Sequence, residues 1–114
     1  MAIAHVTIHT ARFEESVAFY RDIVGLTEEQ RLPGGRRIVF LTAAPEETAI
    51  ELIEEEAAPP VGDGISVGFN VADVAAKRRF CLEKGVDATE IFSPGPNVAF
   101  FFVKDPNGVT IQFI

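Results

Sequence analysis

Glu51 lies in the run Ala49-Ile50-Glu51-Leu52-Ile53, a carboxylate inside an otherwise apolar stretch. On a strand it faces away from Ile50 and Leu52, on the side that carries Ala49 and Ile53. A carboxylate so placed needs water, a partner or a metal. Two readings stay open: a pocket group, or a strand glutamate paired with Arg36 or Arg37. The chain has two histidines, His5 and His9. On a regular strand they share a face with Thr7. His5 then opens that strand, and His9 lies near its far end as a rim residue. Cys81 is the only cysteine, which excludes an internal disulfide and any cysteine-based metal cluster. No neighbour in sequence activates its thiol, so it reads as small core filler. Arg36 and Arg37 read as solvated, with one able to grip a ligand carboxylate.

The elements that position these groups come twice. Residues 1–53 set against 62–114 without gaps show 10 identities in 53 positions. Average composition gives about three or four by chance. Ile50 and Ile53 fall on Ile111 and Ile114, Pro33-Gly34 on Pro94-Gly95, and Phe40 on Phe101. A repeat means that one unit is used twice and that a site can draw on equivalent positions of both copies. The copies differ where chemistry is at stake. His5 faces Ser66, and Glu51 faces Gln112.

Within the first copy, residues 3–10 alternate as a strand. Phe13, Val17, Tyr20 and Val24 recur at spacings of 4, 3 and 4, one face of a helix that Gly25 stops. Strands are expected over 28–32, 36–42 and 48–53, giving β-α-β-β-β. Ala57–Gly64 has two prolines, two glycines and no periodicity, and is the linker. The second copy repeats the order: a strand over 65–71, a helix capped by Asp73 and ending at Lys84, and a strand over 86–92. A turn over 93–97, a strand over 98–104, the turn Asp105-Pro106-Asn107-Gly108 and a last strand over 109–114 complete it. Gly25 and Gly85 are only 60 apart, so the first helix or its exit is one residue longer. Phe100, Phe101 and Phe102 cannot all face one side of a strand. One side packs under the helices and the other lines a trough, and Phe101 is taken as the trough-lining ring, suited to a flat or apolar ligand.

Length bounds the chain to one domain over 1–114, with unit one at 1–56, the linker at 57–64 and unit two at 65–114. At 47% hydrophobic residues it can fill a core. No apolar run of about 18 residues exists to span a membrane. Met1–His5 lacks the basic start of a secretory signal, so a cytoplasmic protein is expected. The net charge of −7 argues against a nucleic-acid partner and is compatible with a cationic ligand. A charge of that size also simply keeps a small protein dissolved. Glu54-Glu55-Glu56 reads as a solvated strand exit.

The doubled β-α-β-β-β order resembles the vicinal oxygen chelate superfamily, which includes glyoxalase I, bleomycin-resistance proteins and extradiol dioxygenases. Local words agree. Ser16-Val17-Ala18-Phe19-Tyr20 with Val24-Gly25-Leu26 resembles that family's first helix and its glycine exit. Asp105-Pro106-Asn107-Gly108-Val109-Thr110-Ile111 is similar to its hairpin into the last strand, and Ala49-Ile50-Glu51-Leu52 to the strand bearing its first carboxylate. The resemblance covers essentially the whole chain. It implies an α+β fold of two βαβββ units with pseudo-two-fold symmetry, forming a curved mixed sheet around a pocket.

It further implies four site positions, at His5, Glu51, Ser66 and Gln112. His5 and Glu51 are the two with metal-type side chains. Ser66 stands where the family has a histidine, and Gln112 where it has a glutamate. An amide is no base, so glyoxalase-type proton abstraction loses its usual carboxylate. An iron triad at His5, Ser66 and Gln112 would retain one ligand of three. The expectation is therefore a small-molecule-binding protein that needs no cofactor, with a pocket at His5, Glu51, Ser66, Gln112 and Phe101. The alternative is an enzyme of the glyoxalase lyase, isomerase or dioxygenase type. It would hold a divalent metal (Ni, Zn, Mn or Fe) at His5 and Glu51, with Glu51 as its catalytic base. Uncovered strand edges imply a homodimer.

Overall fold

The computed structural model describes all residues, Met1–Ile114. The chain divides into two compact units, Met1–Pro60 and Val61–Ile114, and the division falls inside the Ala57–Gly64 linker.

In the first unit β1 (His5–Thr10) leads to α1 (Phe13–Ala18), which continues as a π-helical segment over Phe19–Val24. Then come β2 (Thr27–Leu32), β3 (Ile38–Thr42) and β4 (Ala49–Glu54). The sheet order is β1-β4-β3-β2. β1 runs parallel to β4, and the other pairs are antiparallel. Alternation decides what is buried. Ile8, Val39, Leu41, Ile50 and Leu52 point to the helix side and meet the buried Phe13, Val17 and Tyr20. The helix start is stitched to β1 by hydroxyls, with Thr10 Oγ1 accepting from the Arg12 amide at 2.8 Å and lying 3.1 Å from Ser16 Oγ.

The extra residue expected before Gly25 is accommodated by the π-helical turn. Its wider turn holds one more residue than an α-helix over the same rise. The amides of Gly25 and Leu26 both donate to the Tyr20 carbonyl, at 3.2 and 2.9 Å. Gly25 takes φ 98°, a left-handed conformation open to glycine at little cost. The shift also moves the buried position from Val24 to Ile23.

In the second unit β5 (Ser66–Phe69), α2 (Val74–Glu83), β6 (Phe92–Gly95), β7 (Val98–Lys104) and β8 (Thr110–Phe113) form a sheet of order β5-β8-β7-β6. The β5–β8 pair is parallel, as in the first unit. Asp73 caps α2, accepting from the Ala76 amide at 3.0 Å. The fold is thus α+β, with one mixed four-stranded sheet in each unit.

Two expectations are corrected here. The strand expected over 86–92 is an irregular segment, joined to β7 by a single bridge between Ala88 and Val103. Thr89 accounts for this. Its amide donates to the Phe102 carbonyl at 3.0 Å, while its own hydroxyl accepts from the Phe102 amide at 3.0 Å. A side chain thereby replaces a backbone partner and interrupts the ladder. The expected turn over 93–97 instead carries β6, with Gly95 paired to Val98 across Pro96-Asn97. Pro94 is tolerated because β6 is an edge strand.

A further correction concerns Phe101. Its ring is fully buried, 5.4 Å from the Phe113 ring, on the face that turns to α2. It lines no trough; Phe100 and Phe102 occupy the opposite face. The reason lies in the hairpins. Phe40 pairs with Glu51, but the residue that pairs with Gln112 is Phe102. The first hairpin is one residue longer, so the Phe40–Phe101 identity joins residues on opposite faces. In the second hairpin Asp105, itself buried, gathers the turn. Its Oδ1 accepts from the amides of Asn107 and Val109, at 2.8 and 2.9 Å. The longer first connection passes through Glu46 at φ 68°.

Candidate functional site

Each sheet has a face turned away from its helix. In the first unit the register puts Thr7 and Phe40 on either side of Glu51, with His5 beside Ala49. The Thr7 hydroxyl donates to Glu51 Oε1 at 2.6 Å, and His5 Nε2 lies 3.5 Å from the same oxygen. The His5 ring meets the edge of Phe40, with centroids 5.9 Å apart at 71°. Glu51 is largely enclosed, its side chain 13% exposed, whereas His5 is 45% exposed. One half-buried carboxylate is thus oriented by a hydroxyl and faced by an open imidazole. That arrangement can accept hydrogen bonds from a ligand at Glu51 and offer it an imidazole nitrogen at His5.

Arg36 and Arg37 are not the partners of Glu51. Arg37 binds Glu54 at 2.6 Å and Glu14 at 2.7 Å, and Arg36 lies 3.5 Å from Glu55. Beside Arg37 the Glu54 carboxyl is held below its ordinary range, chiefly by their hydrogen bond. His9 faces Glu55, with Nδ1 2.7 Å from Oε2. A cleft of about 550 Å³ opens at this strand exit, lined by Arg36, Glu54, Glu55 and Glu56, and it reaches neither His5 nor Glu51. Glu54 and Glu55 are therefore paired, and together with Glu56 they line a charged rim.

The second unit builds the equivalent place differently. Ser66 is exposed beside Thr110, and Gln112 lies between Gly68 on β5 and Phe102 on β7. Gly68 stands where the first unit has Thr7. A Cβ at Gly68 would meet Gln112 Oε1 at 3.0 Å, so the glycine makes room for the amide. Thr7, Phe40 and Gly68 were not singled out from sequence. The 61-residue offset does pair Thr7 with Gly68, and strand alternation does place Thr7 beside His5. Cys81 is fully buried, and burial pushes its thiol up from its ordinary value, which keeps it protonated and inert.

A model of the Glyoxalase/Bleomycin resistance protein/Dioxygenase superfamily matches residues 2–113. The chain belongs to that superfamily. Solved structures agree on the fold. The trypanothione-dependent glyoxalase I of Leishmania major superposes with a TM-score of 0.86 at 20% identity, covering 100% of this chain and 86% of that one. TnmS3, an antibiotic-binding protein from Streptomyces sp. CB03234, gives 0.82 at 20% identity, over 99% and 93%. A glyoxalase/bleomycin resistance protein from the same organism gives 0.77 at 21%, over 98% of each chain. No curated protein matches the sequence.

Members of this superfamily often use a divalent metal, so the fit of this chain to one can be tested on its own donors. A catalytic zinc-type site takes three protein ligands and an open position. No group of three His, Cys, Asp or Glu side chains is placed to hold a metal ion here. His5 and Glu51 supply two donors, and the oxygen of Glu51 nearest His5 already accepts from Thr7. Ser66 and Gln112 offer only neutral oxygens. The residues present do not make the superfamily's metal set. No helix is long and apolar enough to cross a membrane.

Proposed function

We propose that this superfamily member is a single-domain, small-molecule-binding protein that works without a catalytic metal and acts as a homodimer in the cytoplasm. One observation carries the reading. The four equivalent positions hold one imidazole, one carboxylate, one hydroxyl and one amide, and Thr7 already engages the carboxylate. His5 and Glu51 are the polar groups that the open face of the first unit offers a ligand, and Ser66 and Gln112 those that the open face of the second offers. His5 and Glu51 offer an imidazole and a carboxylate, while Ser66 and Gln112 offer neutral donors and acceptors. The similarity to an antibiotic-binding protein of the same fold supports a sequestration role.

A second reading is a metal-dependent lyase or isomerase of the glyoxalase type. The approach of His5 Nε2 to within 3.5 Å of Glu51 Oε1 favours it, because it brings two ligand-type groups to one point. Metal retention separates the two. The purified protein is loaded with Ni, Zn, Mn or Fe, dialysed, and its metal counted per chain. The binding reading expects no retained metal and no lactoylglutathione from methylglyoxal and glutathione. Stoichiometric metal that His5→Ala abolishes would overturn the metal-free binding reading.

A further inference from the structure

On the open face of the second sheet three rings touch one another. Phe92 stacks on Phe100 with centroids 5.8 Å apart at 27°. Phe102 meets both rings edge-on, at 6.1 and 5.6 Å. Phe92 is 48% exposed. Directly across from Phe102 is Gln112. Its amide makes no hydrogen bond within the chain, yet the residue is half-buried. Directly cross-strand side chains lie about 5 Å apart. The oxygen of that amide lies over Gly68, where any Cβ would stand only 3.0 Å from it. An aromatic floor thus ends at a carboxamide, which presents a donor and an acceptor side by side.

We propose that this face binds a planar heteroaromatic ligand of the lactam or ring-amide class. The ring lies on Phe92, Phe100 and Phe102, and the adjacent N–H and C=O of the ligand pair with the Gln112 carboxamide. Stacking alone accepts any flat ring. The amide supplies the selection, because a half-buried donor and acceptor left unpaired oppose binding of a ring without matching groups. A neutral amide also explains the chemistry of the second copy. Where the first unit offers a carboxylate able to take a cation or a proton, the second offers a group that recognises without charge.

The inference rests on the small-molecule-binding reading, and its test is separable from that one. Three probes are titrated into the full chain and followed by NMR at the Phe100 and Phe102 rings and the Gln112 side-chain amide. Carbostyril has both the fused ring and the lactam, quinoline has the ring without the lactam, and δ-valerolactam has the lactam without the aromatic ring. Carbostyril is expected to saturate these signals and to bind about tenfold more tightly than either of the others, the equivalent of one or two net hydrogen bonds. Gln112→Leu should remove that tenfold advantage and leave quinoline unchanged, while Phe100→Ala should weaken both aromatic probes. Thermal melts of each variant check that it is folded. Equal binding of carbostyril and quinoline would overturn the amide's role. Self-association that Phe92→Asp abolishes, without any probe response, would overturn the site and make the face a contact between copies. Silence here, with ligand binding elsewhere that His5 and Glu51 variants alter, would sink this inference and leave the proposed function standing.

Discussion

At the level of single residues, burial and partnership separate groups that the sequence places side by side. Phe100, Phe101 and Phe102 are consecutive, but only Phe101 is fully enclosed. Phe101→Ala should lower the unfolding free energy by about 3–5 kcal/mol in urea titration, and Phe100→Ala by about 1 kcal/mol. Equal losses would contradict the assignment of faces. Asp105 is buried and accepts from two backbone amides. Asp105→Ala leaves those donors without a partner, with an expected loss of about 2–3 kcal/mol. Glu46 holds a left-handed conformation that a side chain strains. Glu46→Gly should raise stability by up to about 1 kcal/mol, measured the same way. The carboxylate of Glu51 was legible because an acidic residue inside an apolar strand is conspicuous. Thr7, which orients it, was not, because threonine is an ordinary strand residue and only the register reveals its partner.

At the level of elements, periodicity located every strand of the first unit within two residues and both helices. It failed at 86–97, where Thr89 substitutes its hydroxyl for a strand partner and Pro94 occupies an edge strand. Both are tertiary effects that local pattern does not encode. The spacing of the two glycine exits did announce an extra residue, though not its form. Deleting Asp22, exposed within the π-helical turn, should therefore leave a folded protein with an ordinary α-helical exit. Deleting Arg79 from α2 has no surplus residue to absorb it and should abolish cooperative melting by circular dichroism. If both deletions unfold the chain, the π-helical turn is not a simple insertion. The first unit is also fastened by charge. Arg31 and Arg37 lie over the Phe13 ring, at 5.3 and 4.7 Å, and share Glu14. Arg37→Ala removes packing as well as charge.

At the scale of the whole molecule, the acid response follows from paired carboxylates. Arg31 and Arg37 hold Glu28 and Glu54 below their ordinary pKa, chiefly by direct hydrogen bonds. The folded pKa is depressed, so this stability is present above the unfolded carboxylate range and is lost as pH falls through the folded values. Melting temperature should fall progressively below about pH 4.5, and Arg37→Ala should flatten that fall. The fold and superfamily were readable because the duplication wrote the same pattern twice. The candidate site residues were less legible, because the two copies no longer share side chains at the equivalent positions. The single-residue difference in hairpin length has a consequence for anyone rebuilding the protein. The two copies are not interchangeable cassettes. A graft of the second hairpin into the first, aligned on the shared phenylalanine, would turn the sheet inside out. The core ring Phe101 would land on the open side, where Phe40 now stands beside His5, and the open-face rings Phe100 and Phe102 would be driven into the core. Interchange is feasible only if the splice follows the strand pairing, Phe40 with Phe102, and drops the residue that the first hairpin has in excess.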